Sequence, residues 1–209
     1  MDGITNLYLF LVTALVVNMT PGADSLYMLN HAAKNGWKGG VAAAAGIHGG
    51  VLCHLLAAAF GLAAVIATNE WLFDLIRWCG AAYLVWMGVG MILRRNTTPS
   101  GTEAAIQSAS GIVLQGWLTN VLNPKVALFF VALLPQFVVA GHNQLLMPML
   151  LLGLMFVATS LVWTSIMIVT TRLVLRRWQP GAMAGRVANV FAGILMAALG
   201  IRLGVSQGG

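Results

Sequence analysis

Charge is what this sequence has least of. Asp, Glu, Lys and Arg together make up 8% of its 209 residues, where an ordinary globular chain is about one-quarter charged. With 59% hydrophobic residues and a mean hydropathy of +0.87, the chain cannot clothe a water-facing surface. That excludes a disordered segment, a collagen-like repeat and a soluble nucleic-acid-binding domain. Cysteine is nearly absent as well. Cys53 and Cys79 both lie inside apolar runs, so no disulfide framework is expected. There is no glycine-rich phosphate loop with its lysine, no pair of adjacent carboxylates for metal-diphosphate chemistry, no HExxH and no GxSxG. ATP hydrolysis and the familiar hydrolytic chemistries therefore have no seat here, and no enzyme activity and no cofactor are expected. His48 and His54 are six residues apart, on different faces of a helix, which argues against a metal pair. The opening MDGITNLYLF has neither a basic n-region nor a small-residue cleavage site after its apolar run, so the first hydrophobic segment is expected to stay in the mature chain.

What is present is a series of long apolar runs. Crossing the hydrocarbon takes about 20 mostly apolar residues, and six stretches qualify: Ile4 to Leu29, Gly39 to Thr68, Trp71 to Leu93, Ile112 to Val138, Leu145 to Thr171, and a shorter Val187 to Ile201 between Arg186 and Arg202. The fold class this predicts is an all-α integral membrane protein with six transmembrane helices. The connections near 30–38, 94–111 and 172–186 carry Lys34, Lys38, Arg94, Arg95, Arg172, Arg176, Arg177 and Arg186, against Arg202 and Arg77 on the other side. This bias predicts that those three loops are cytoplasmic and that both termini face outward. The polar segment 94–111 divides a single 1–209 transmembrane domain into halves of about 1–95 and 110–209. Three crossings per half reverse the second copy, which is the arithmetic of an inverted repeat.

Each half opens with a span interrupted by proline. Pro21 lacks an amide hydrogen and Gly22 tolerates unusual dihedrals, so the first span is predicted to break there, among Asn18, Thr20 and Asp24. Pro124, flanked by Asn120, Asn123 and Lys125, repeats the arrangement in the fourth span. Freed backbone groups at membrane depth must face protein or a wet cavity, and paired broken spans point to a transporter's substrate site. Apart from histidines, Asp24 and Lys125 are the ionisable residues well inside a span. A charge there costs at least about 2.5–3.5 kcal/mol, so it persists when paired, hydrated or functional. Two accounts are open: an ion pair holding the halves together, or recognition of the two ends of a zwitterion. The candidate substrate-binding residues are thus Asn18, Thr20, Pro21, Gly22, Asp24, Asn120, Asn123, Pro124 and Lys125.

In the second span Gly46, Gly50, Ala57 and Gly61 fall on one helical face with His54 among them. Close helix packing explains the small residues. His54 is either a hydrogen-bond partner for a neighbouring helix or, with Asp24, a candidate proton relay. Asp74 and Arg77, one turn apart near the outer end of the third span, read as an interfacial ion pair.

These residues carry a resemblance. NMTPGADSLYML is similar to the opening TPGP-type motif of the LysE/RhtB family of amino-acid exporters, AGIHGGVLCHLLAAAFGLAA to its glycine-rich second span, CGAAYLVWMGVGMI to its third, and GWLTNVLNPKVALFFVALLPQFV to its most recognisable stretch. Ala23 stands where the family usually has a second proline, which softens the break expected at Pro21. The resemblance implies export of small amino acids or related metabolites, homoserine- or threonine-like, by proton antiport, from an oligomer in the bacterial inner membrane. The partners so implied are an amino-acid substrate, protons and lipid, with no nucleic acid. Export of a basic amino acid or another small solute is the alternative within transport; a membrane enzyme and a structural subunit are the alternatives outside it.

Overall fold

A computed structural model of the protein describes residues 3–62, 70–93, 108–139 and 145–174, with positions 190, 193–194, 197–198, 200–202 and 204–205. Most of the polar segment 94–111, of the basic cluster 172–186 and of the sixth predicted span lies outside the described residues. Within them the secondary structure is helical, apart from an isolated bridge between Ile4 and Val138.

Proline chemistry sets the first break. Helix α1, Leu7–Met19, ends at Thr20 in an extended conformation, Gly22 is extended too, and α2 begins at Ala23. The interruption therefore forms at Thr20–Gly22 even with alanine at 23. Helix α2 runs Ala23–Leu56, 34 residues, or about 51 Å at 1.5 Å per residue, too long for one crossing of about 30 Å. A single residue resolves this. Gly36 has φ +66 and ψ −165, non-helical dihedrals that turn the chain within the helix and that a side chain would strain. The loop expected at 30–38 is thus reduced to one glycine, and the polar residues around it remain helical. A π-helical turn, Ala57–Leu62, extends the far end.

Helix α3 spans Glu70–Leu93. Helix α4, Ala109–Val121, starts from Ser108, whose hydroxyl accepts the Gly111 amide, a side-chain N-cap. It stops before Asn123, and the short α5, Pro124–Leu128, continues through a π turn to Leu133 and a 3₁₀ turn to Phe137. The two parts of this segment are bent by 49°. Helix α6 is Leu146–Val174. By length and composition Ala23–Gly61 and Leu146–Thr171 are long and apolar enough to cross a membrane, and the bent pair makes a third if it is one span.

Glycines set how closely the helices approach and reveal their directions. Gly46 lies against Val113 and Trp117, and Gly50 against Asn120, so α2 and α4 run parallel. Gly40 meets Ile168 while Leu55 meets Gly153, so α2 and α6 are antiparallel. Gly88 lies by Gly193 and Ala197, whereas Gly200 and Gly204 lie by Ala81 and Trp78, so α3 and the last helical residues are antiparallel. The start of the chain is clasped to the end of the bent segment by Thr5 N–H to Phe137 O at 2.8 Å and Val139 N–H to Gly3 O at 3.0 Å.

Polar side chains lie buried beside the apolar core while large apolar ones face outward. Asn120, Asn123, Lys125, Thr20 and Asn18 are at most 9% exposed, while Leu122, Leu93 and Trp71 are over 70% exposed. An outer surface this apolar suits hydrocarbon rather than water.

Candidate functional site

The two proline breaks lie side by side. At the first, the extended backbone of Thr20–Gly22 leaves the Thr20 carbonyl without a helical amide, and the Lys125 ammonium donates to it at 3.0 Å. Lys125 is placed by the second break: Asn123 caps α5, its Oδ1 accepting the Lys125 amide at 3.1 Å. The same ammonium lies 3.5 Å from Asp24 Oδ1, the oxygen that also accepts the Ser25 amide at 2.9 Å. The side chains are 6% and 14% exposed. A separation of 3.5 Å is longer than the roughly 2.7–2.9 Å of a tight charge-assisted bond, so the pair is loosely coupled. The second oxygen of Asp24 makes no hydrogen bond among the described residues. A Cβ on Gly22 would fall 2.7 Å from Asp24 Oδ1 and 3.1 Å from Lys125 Nζ, so a larger residue there would push on the ends of both charged side chains.

Asp24 and Lys125 border a small cavity of about 20 Å³, room for about one water. Asn18 joins them from α1, its amide donating to Thr159 at 3.1 Å. Helix α6 contributes Ser160, Trp163 and Thr164, and apolar walls come from Met28, Ile47 and Val51 of α2. Phe156 closes one side and begins a chain of rings: it stacks on Phe129 at 4.2 Å and meets Phe130 edge-on at 5.2 Å, while Phe10 contacts Phe129 and Phe137. This aromatic layer lies between the cavity and the end where Ile4 meets Val138.

A profile of the LysE type translocator family matches residues 15–207. The chain belongs to this family. It is 28% identical over 206 residues to a leucine efflux protein of Klebsiella pneumoniae, covering 98% of this chain and 97% of that one. It is 26% identical over 196 residues to a homoserine/homoserine lactone efflux protein of Salmonella typhi, covering 94% of each. An uncharacterized membrane protein of Vibrio cholerae is 33% identical over 129 residues, 62% of this chain and 63% of its own length. No solved structure matches.

Of the residues singled out in the sequence of this LysE family member, Asn18, Thr20, Gly22, Asp24 and Lys125 come together around the cavity. Pro21 and Pro124 are exposed and act by breaking their helices. Asn123 acts through its cap on Lys125. Asn120 stands apart, fully buried against Gly50. Its carbonyl, which Pro124 cannot reach for want of an amide hydrogen, accepts the Asn123 amide at 2.9 Å and is also met by His54 Nε2 at 3.0 Å. His54 is not among the cavity's walls. Nor is His48, whose Nδ1 is bonded to the Ala44 carbonyl at 2.7 Å. Among the described residues no group of His, Cys, Asp and Glu is arranged to hold a metal. The sequence reading passed over Ser25 and the α6 face. Ser160, Trp163 and Thr164 sit at i, i+3 and i+4, on the one face of this span that borders the cavity.

Proposed function

We propose that the protein is a secondary transporter that exports a small amino acid, and that the zwitterion binds by replacing the ion pair between Asp24 and Lys125. The observation that carries this is the meeting of a carboxylate and an ammonium at two broken helix ends, beside a cavity with apolar walls. The substrate ammonium goes to Asp24 and its carboxylate to Lys125, charge for charge, so no uncompensated charge is left in the membrane. A cavity sized for about one water has to widen to admit an amino acid, and separating the loosely coupled pair is the step that widens it. Leucine and homoserine, two of the three cargoes named for the relatives, are zwitterions and share this head group; homoserine lactone, the third, brings the ammonium without the carboxylate. Efflux from proteoliposomes loaded with a panel of amino acids tests the reading directly.

In this proposal the chain crosses the bacterial inner membrane six times as two inverted halves, with both termini outward. The helix directions support it. Alternate crossing makes the second and fourth spans parallel, the second and fifth antiparallel, and the third and sixth antiparallel, as the glycine contacts have them. The phenylalanine layer then closes the outer side, and the cavity loads from the cytoplasm.

Coupling to protons follows from competition. In this proposal Asp24 exchanges the substrate ammonium for a proton on the outside, and the site carries that proton inward. Moving one charge inward is worth about 2.3 kcal/mol per 100 mV. His54 remains the other relay candidate. Because its imidazole is engaged with the Asn120 carbonyl, beside the Asn123 amide, and stands off the cavity, His54→Gln, whose amide can still donate to that carbonyl, is expected to fold and to keep the dependence of export on external pH. Loss of that dependence in a folded variant would transfer the proton role to His54.

A further inference from the structure

Several of the hydrogen-bonding groups around the cavity are spent within the protein. Lys125 Nζ serves Thr20 O and Asp24, the Ser25 amide serves Asp24, the Asn18 amide serves Thr159, and the Thr164 hydroxyl donates to the Ser160 carbonyl at 2.9 Å. One N–H is left over. Among the described residues Trp163 Nε1 is buried without a partner, and of the described buried side-chain atoms in that condition it alone belongs to a residue of the cavity wall. An indole nitrogen is a donor only, and a buried donor left unmade is costly, because it has lost its water without gaining an acceptor. The complementary vacancy is the second oxygen of Asp24, an acceptor. A ligand that satisfies both must bring an acceptor and a donor on one compact head group.

We infer that Trp163 is a specificity-determining residue that donates its indole N–H to the carboxylate of the exported amino acid, sharing that group with Lys125 while Asp24 holds the ammonium. This rests on export of a zwitterion as the protein's function. It adds what an ion pair alone lacks: a directional donor on α6 that separates amino acids from amines. A substrate without the carboxylate leaves the indole unsatisfied, and rejection of that kind is stronger than hydrophobic selection can supply.

The test uses the full-length protein in proteoliposomes, with leucine and isoamylamine, or homoserine and 3-aminopropanol, as pairs that differ by the carboxylate. Trp163→Phe keeps an aromatic ring and removes the N–H. The expected result is a KM for the amino acid raised about tenfold or more, with inhibition by the matching amine unchanged. An unaltered KM, or equal losses for amino acid and amine, would overturn the assignment. If the phenylalanine variant does not fold, β-(3-benzothienyl)alanine at position 163 replaces the N–H by sulfur in the same shape and is held to the same outcomes. A wild-type protein that moves none of the amino acids would instead overturn the transport function itself, and the two failures are told apart by the wild-type arm.

Discussion

Lys125→Met and Asp24→Asn are each expected to abolish export while the protein still inserts and folds. The reason lies in where the surviving charge goes. Asp24 keeps the Ser25 amide and borders a cavity with room for about one water, and Lys125 keeps the Thr20 carbonyl, so neither is stranded when its partner is removed. Substrate binding fares differently, because a zwitterion meeting one charge instead of two must leave an ionic end unpaired at membrane depth. A purely structural pair predicts the opposite pattern. Breaking a buried pair by removing one partner costs about 3–5 kcal/mol, and the amount of folded protein would fall in each single variant. The double variant, Asp24→Asn with Lys125→Met, separates the cases: a structural pair predicts recovery of folded protein, and a substrate site predicts no recovery of export. Detergent-extracted yield and melting temperature, measured beside transport, decide between them.

The second large effect is expected at the contact between α2 and α4. A Cβ on Gly46 would sit 2.8 Å from the Trp117 nitrogen and closer still to the Val113 carbonyl, and one on Gly116 would sit 2.9 Å from the Ala43 carbonyl. These neighbours are backbone, and backbone cannot swing aside as a side chain does. Gly46→Ala is expected to cost about 1–3 kcal/mol by overpacking, and Gly46→Leu to prevent the two helices from meeting and abolish folded protein. Gly61, a member of the same stripe in the sequence, has nothing within 4 Å among the described residues, so Gly61→Leu is expected to leave the melting temperature within a degree or two of wild type, in keeping with a surface position. Equal tolerance at Gly46 and Gly61 would mean that the helices do not pack at this distance.

That contrast shows how far the sequence could be read. Proline's missing amide hydrogen is a local property, so the breaks at Pro21 and Pro124 were legible one residue at a time. So was the expense of Asp24 and Lys125 in an apolar span. The glycine stripe was legible as a packing face, but nothing along the chain tells Gly46 from Gly61, because only the approach of α4 distinguishes them. Asn120 and Asn123 flank the same proline and looked equivalent. Their roles diverge because Asn123 caps the following helix, whereas Asn120 lies on the face turned toward Gly50 and offers its carbonyl to His54. Polar residues near Gly36 suggested a loop, yet one residue at positive φ turns the chain while its neighbours keep their helical hydrogen bonds. Ser160, Trp163 and Thr164 escaped notice for a different reason: hydroxyls and indoles are common in membrane helices, and their meaning came from facing Asp24 and Lys125 across the cavity.

The most direct measurement loads proteoliposomes containing the wild-type protein with labelled leucine or homoserine and follows efflux when the external medium is made acidic. Competition of ammonium and proton for Asp24 predicts that efflux accelerates under the inward proton gradient, runs against an amino-acid gradient, and is absent with Asp24→Asn. Folded wild-type protein that retains every amino acid at either pH, or Asp24→Asn that exports at the wild-type rate, would contradict it.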